Sequence, residues 1–196
     1  SFPAEFHAQT AAEAAVQLHA QVKDRLNEIE KIVIHTHESA IRIINKVGPL
    51  NNPADRDHCL QYMVAVPLAF GNLVAEHYED NFHTTNPIID ELREKMEIHE
   101  NPRYTKEYLE PEKRSIANSL QVYFRDGNCS EKVEIDYPVG HRRRREEGIP
   151  LLEEKFRANL APRFPAGRCA RLFALCKDQQ RLERMAVHEF MDLLVI

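Results

Sequence analysis

Apolar positions Ala11, Ala15, Leu18 and Val22 recur at helical spacing across residues 10–26, in a run rich in Ala, Gln and Leu. That period predicts a first helix with Thr10 as its N-cap. The period then shortens. Residues 29–37 carry β-branched side chains in near alternation, with Ile32 and Ile34 on one face and Val33 on the other, and predict a strand. Residues 39–46 predict a short helix ended by Gly48-Pro49. A loop with two prolines follows, and from Asp55 an apolar helix is expected to run to about Phe70, with Gly71 as its C′ residue.

Further on, residues 87–92 predict another helix and residues 93–99 alternate as a strand. Residues 118–124 and 131–137 alternate again, Leu120, Val122 and Phe124 matching Val133 and Ile135. The intervening Asp126-Gly127-Asn128 supplies the glycine that a hairpin turn with φ > 0 requires. From His141 the character changes: a basic run, a helix over about 150–160, two prolines and a last helical stretch over 167–184. No repeat or low-complexity tract interrupts the order. The expected fold is α+β: residues 1–149 form a small antiparallel sheet with helices packed on one face, and residues 150–196 form a helical C-terminal segment that packs elsewhere.

Composition narrows the function classes. The formal charge of −5 gives no global basis for holding a phosphate backbone, so no nucleic-acid partner is expected. No apolar run approaches the roughly 20 residues that span a bilayer, so no membrane partner is expected either. Cys59, Cys129, Cys169 and Cys176 lie far apart without a Cys-x-x-Cys pair, which reads as reduced thiols of a cytoplasmic compartment. The opening Ser1-Phe2-Pro3 is what a processed or excised fragment would show.

The segment THESAIRIINKVGPLNNPADRDHCLQYMVAVPLAFG, residues 36–71, is similar to the signature region of the MmgE/PrpD family. SFPAEFHAQTAAEAA at the start, YPVGHRRRREEGIPLLEEKF at 137–156 and the ending VHEFMDLLVI agree with it, so the resemblance covers the whole chain. It implies a hydro-lyase that removes water from 2-methylcitrate to give 2-methyl-cis-aconitate in propionate breakdown through the methylcitrate cycle. It further implies a metal-independent acid/base mechanism with no cofactor, a small tricarboxylate substrate, a homodimer, and cytoplasmic residence or the mitochondrial matrix in a eukaryote. Relatives continue upstream into a larger helical domain on which the 150–196 segment would pack, and which would supply further catalytic groups. The chain alone would then be inactive. Other members decarboxylate cis-aconitate or epimerise iminodisuccinate, so a different reaction on another di- or tricarboxylate is the first alternative, and a non-catalytic oligomerisation module the second.

Loss of water next to a carboxylate needs a base, an acid, and cations or amides to hold the carboxylates. Glu5 and His7 in PAEFHAQ precede the first helix, where its N-terminus favours anions, and are the catalytic candidates; the alternative is a loop that caps the helix. The polar segment 51–58 leads into the apolar helix and offers substrate contacts. Asn52 lies in it, Arg56 is suited to a bidentate carboxylate, and His58 shares a helix face with Tyr62 at i,i+4. Its competing reading is that Asp55 caps the helix while Arg56 and Asp57 form structural ion pairs. Of the arginines at 142–145, Arg143 is the candidate to face a tricarboxylate, against a reading in which the run is solvated or pairs with Glu146 and Glu147. His35 and His37, two apart on a strand, could chelate a metal only with a third ligand that the spacing does not suggest, and no metal is expected.

Overall fold

The structure, a computed structural model, describes residues 2–195. They divide into two units between Arg143 and Arg144. In the first, a 3-10 turn (Phe6–Ala8) feeds α1 (Gln9–Val22), and β1 (Ile29–Thr36) follows. Then come α2 (Glu38–Ile44), α3 (Pro53–Asp57), α4 (Leu60–Phe70), α5 (Asp80–Thr85) and α6 (Ile88–Glu94). β2 (Met96–Glu100), α7 (Pro102–Leu109), β3 (Asn118–Phe124) and β4 (Val133–Ile135) complete it.

The expected α+β class holds, with one correction to the sheet. Its order is β2-β1-β3-β4, and β1 pairs β3 and β3 pairs β4 antiparallel, but β1 and β2 run parallel. A parallel pair needs a crossover, and the helices from α2 to α6 supply it. Ile32 and Ile34 of β1 stand opposite Val122 and Leu120 of β3, and all four are fully buried. α1 and α4 belong to the same apolar core. Ala11, Ala12, Ala14 and Ala15 keep α1 slim where it meets α4, and from Leu60 to Leu68 α4 is buried on every side, as expected of a helix apolar all round.

The single helix expected from Asp55 to Phe70 is two helices. His58 and Cys59 leave helical geometry, Cys59 at φ −121° and ψ 108°. The cause is tertiary: Cys59 Sγ lies 3.4 Å from the Lys46 carbonyl and the Asp57 carbonyl accepts from the Glu5 N–H at 3.4 Å. Gly71 does end α4, at φ 79°, its N–H donating to the Pro67 carbonyl. Thr10 is not an N-cap. It sits inside α1, fully buried, and its hydroxyl donates to the Ile116 carbonyl at 2.6 Å.

The second unit contains α8 (Arg145–Leu160), α9 (Ala166–Lys177), α10 (Gln179–Arg184) and α11 (Val187–Asp192). Its interior is thin, resting on Leu160, Leu172 and Leu175, while Ile149, Leu151, Leu152, Val187 and Met191 are exposed. Among the described residues no helix is long and apolar enough to cross a membrane.

Candidate active site

Glu5 is the N-cap of the first turn, and its position there fixes His7. One carboxylate oxygen accepts from the His7 backbone N–H at 2.8 Å and the other lies 2.7 Å from His7 Nδ1. The carboxylate stabilises the helix N-terminus and binds the imidazole at once. Because a carboxylate only accepts, His7 Nδ1 carries a hydrogen and Nε2 is the nitrogen open to proton exchange. His7 is buried and Glu5 half-buried. From beneath, Asn118 at the start of β3 donates Nδ2 to the His7 carbonyl at 2.9 Å and to Thr10 Oγ1 at 2.7 Å, so the sheet itself holds the dyad's backbone.

Two rings that sequence reasoning did not assign complete the surroundings. Tyr108 of α7 brings its hydroxyl to 3.3 Å from His7 Nε2. His37, expected on a strand and considered only for a metal, is instead the buried N-cap of α2, its Nδ1 accepting from the Ala40 N–H at 3.3 Å. Its ring lies 4.7 Å from that of Tyr108 and 5.1 Å from that of His7. Burial, helped by the neighbouring His7, pushes the His37 imidazole down to about 4. It is therefore neutral near pH 7. His35 packs elsewhere, against His99 on β2, and among the described residues no group of three His, Cys, Asp or Glu side chains is arranged to hold a metal. The signal for α7 was available: Asn101-Pro102 is a helix start, Asn101 caps it, and Tyr104 and Tyr108 are spaced i,i+4.

The remaining candidates lie around the break between α3 and α4. Asn52, rather than Asp55, caps α3: its Oδ1 accepts from the Asp55 N–H at 2.9 Å. Asp55 reciprocates, accepting from the Asn51 N–H and the Lys46 ammonium, and Lys46 first, then the Asn51 N–H, hold its carboxyl below the usual range. Arg56 is 2 % exposed, which makes it the largest fully enclosed charge in the unit. Its Nε donates to the Tyr78 carbonyl at 2.8 Å, while its other nitrogens meet His83 Nδ1 and the Asp80 carboxylate. His83 in turn bonds Asp90, which pairs with Arg93, so one polar chain runs from α3 to α6. Tyr62 donates to the His77 carbonyl at 2.6 Å, and burial raises its phenol to about 12.

His58 is exposed and pairs with Asp57 at 2.6 Å, and the break in the helix separates it from Tyr62, so the two do not share one helical face. The Asp57 carbonyl bonded to Glu5 nevertheless sets this segment beside the dyad. Arg143 stacks its guanidinium 4.7 Å from the Tyr137 ring centre and donates to the carbonyls of Lys113 and Glu112. Arg144 pairs with Glu147 at 2.5 Å.

An α+β domain with a carboxylate-oriented imidazole at the carboxyl end of β1 is the class of structure that fold and site define. The chain belongs to the MmgE/PrpD family: the profile of the MmgE/PrpD C-terminal domain matches residues 2–179. It is 53% identical over 199 residues to the 2-methylcitrate dehydratase of Escherichia coli K12, covering all of this chain and 41% of that protein. The 2-methylcitrate dehydratase of Cupriavidus necator is 54% identical over the same shares. The mitochondrial 2-methylcitrate dehydratase of Yarrowia lipolytica is 48% identical over all of this chain and 38% of its own length. The chain thus spans about two fifths of the curated relatives it matches.

Proposed function

We propose that a full-length protein carrying this chain is a hydro-lyase that eliminates water from 2-methylcitrate to give 2-methyl-cis-aconitate, a step of propionate breakdown. The observation that carries the reading is the Glu5–His7 dyad within a chain 53% identical to a protein of that name. His7 Nε2 takes the proton from the carbon beside a substrate carboxylate, and Glu5 steadies the imidazolium that forms. The C–H electron pair becomes the new double bond as the C–O bond breaks, and a proton delivered to the departing hydroxide completes the water. The substrate's carboxylates need cationic or amide partners. His58, exposed on the segment whose Asp57 carbonyl bonds Glu5, is a candidate on this chain, whereas Asn52, Arg56 and Tyr62 shape the loop that carries it. Arg143, exposed on the same unit, stands as a candidate for a distal carboxylate.

The exposed apolar residues of α8 and α11 support a further part of the reading, that residues 150–196 pack on chain that the relatives possess beyond this match. The site would then be shared between the two parts of a homodimeric enzyme, cytoplasmic in a bacterium and in the mitochondrial matrix of a eukaryote.

The test is turnover of 2-methylcitrate, with citrate and cis-aconitate as rival substrates. The full-length protein should prefer 2-methylcitrate, His7→Asn should lower kcat by about 100-fold or more, and the 196-residue chain alone should show negligible activity. Full turnover by that chain alone would overturn the shared site, and preference for another acid would overturn the substrate assignment.

A further inference from the structure

We infer that Tyr108 and His37 are positioning residues for His7, Tyr108 through a hydroxyl that donates to Nε2 at rest and turns to accept from the new Nε2–H as the substrate's proton arrives, and His37 by fixing the Tyr108 ring. The inference rests on the reading of His7 as the acid/base group. Glu5 already claims Nδ1, so the 3.3 Å contact at Nε2 falls on the nitrogen that must exchange protons. In the neutral imidazole that nitrogen only accepts, which makes the Tyr108 hydroxyl the donor.

His37 is an unusual choice for the place it occupies. Ser, Thr, Asp or Asn caps a helix better, and this cap leaves a buried Nε2 without a hydrogen-bond partner among the described residues. What the imidazole adds is a flat face. It lies 4° from parallel with the Tyr108 ring, and Tyr104, one turn earlier on α7, is fully buried, so α7 is anchored just before that contact. The ring also stays uncharged. A second cation 5.1 Å from His7 would oppose formation of the His7 imidazolium, whereas a neutral wall does not. Glu5, Tyr108 and His37 thus restrict His7 to one ring orientation and, before reaction, to one tautomer.

The experiment uses the full-length protein with His7→Asn, Tyr108→Phe, His37→Asn and His37→Phe, measuring kcat and KM on 2-methylcitrate together with thermal melting. Tyr108→Phe should lower kcat about fivefold, the factor expected for one hydrogen bond, and leave KM unchanged. Its melting temperature should stay close to that of wild type, which separates the loss from a structural one. His37→Asn keeps the α2 cap but removes the face, and should lower kcat by less, again with KM unchanged. His37→Phe keeps the face and loses the cap, so it should lower the melting temperature while keeping kcat nearer to that of wild type. If Tyr108→Phe and His37→Asn both keep the wild-type kcat while His7→Asn is inactive, the inference is overturned alone. If His7→Asn retains full turnover, the acid/base reading fails and takes the inference with it.

Discussion

Gly71 lies so close to the His19 ring that a Cβ on it would stand 2.8 Å from the imidazole Cδ2. The same glycine adopts φ 79°, and the His19 ring meets the Leu68 carbonyl at 2.9 Å through Nδ1. Two requirements, backbone and space, therefore meet at one residue. Gly71→Ala is expected to destabilise the chain by about 2–4 kcal/mol in denaturant unfolding, combining left-handed strain with a clash inside α1–α4 packing. In a His19→Ala background the same change should cost only about 1 kcal/mol. Equal costs in both backgrounds would sink the contact argument.

The buried neutral His37 makes stability pH-dependent. Its folded-state value of about 4 lies below the unfolded imidazole's 6.5, so the unfolded chain binds the extra proton between them. Its contribution is complete above about pH 6.5 and is lost as pH falls towards 4, with a slope of at most about 1.4 kcal/mol per pH unit. Urea unfolding of wild type and His37→Asn across that window should show a shallower slope in the variant.

Arg56 is enclosed and engaged on three sides, so its removal strands the Tyr78 carbonyl and unties α3 from α6. Arg56→Met should cost about 2–3 kcal/mol even though the apolar stem is kept. Arg56→Lys should recover only part of it, since one ammonium cannot reproduce the fork. A variant as stable as wild type would show that the network carries no net stabilisation.

Glu5→Gln retains acceptors for the cap but removes the charge facing Nδ1. Melting should change little, whereas kcat of the full-length protein on 2-methylcitrate should fall by about 10- to 100-fold. Equal losses in stability and activity would mark Glu5 as a cap and nothing more.

Features encoded by adjacent residues were legible in the sequence. The hairpin around Gly127 and the stop at Gly71 follow from local alternation and from one residue able to adopt positive φ. The orientation of β2 was not legible, because strand alternation is the same in either direction and only the crossover decides it. Nor was the gap at His58-Cys59, whose cause lies with Glu5 and Lys46 in distant sequence. The site divides in the same way. Glu5 and His7 are two residues apart and could be noticed together, but Tyr108 lies 101 residues from His7 and meets it only through the fold.

The interruption at Cys59 has a further consequence. In an unbroken helix the Asp57 carbonyl would be turned along the axis to accept from Gln61, four residues on, and would no longer be available to the Glu5 N–H. Local regularity and the seating of the dyad therefore compete for a single oxygen atom. Substitutions at 58 or 59 that favour helix would be felt at His7 without touching it, which makes this short irregular stretch the hinge pin of the site rather than a flaw in α4.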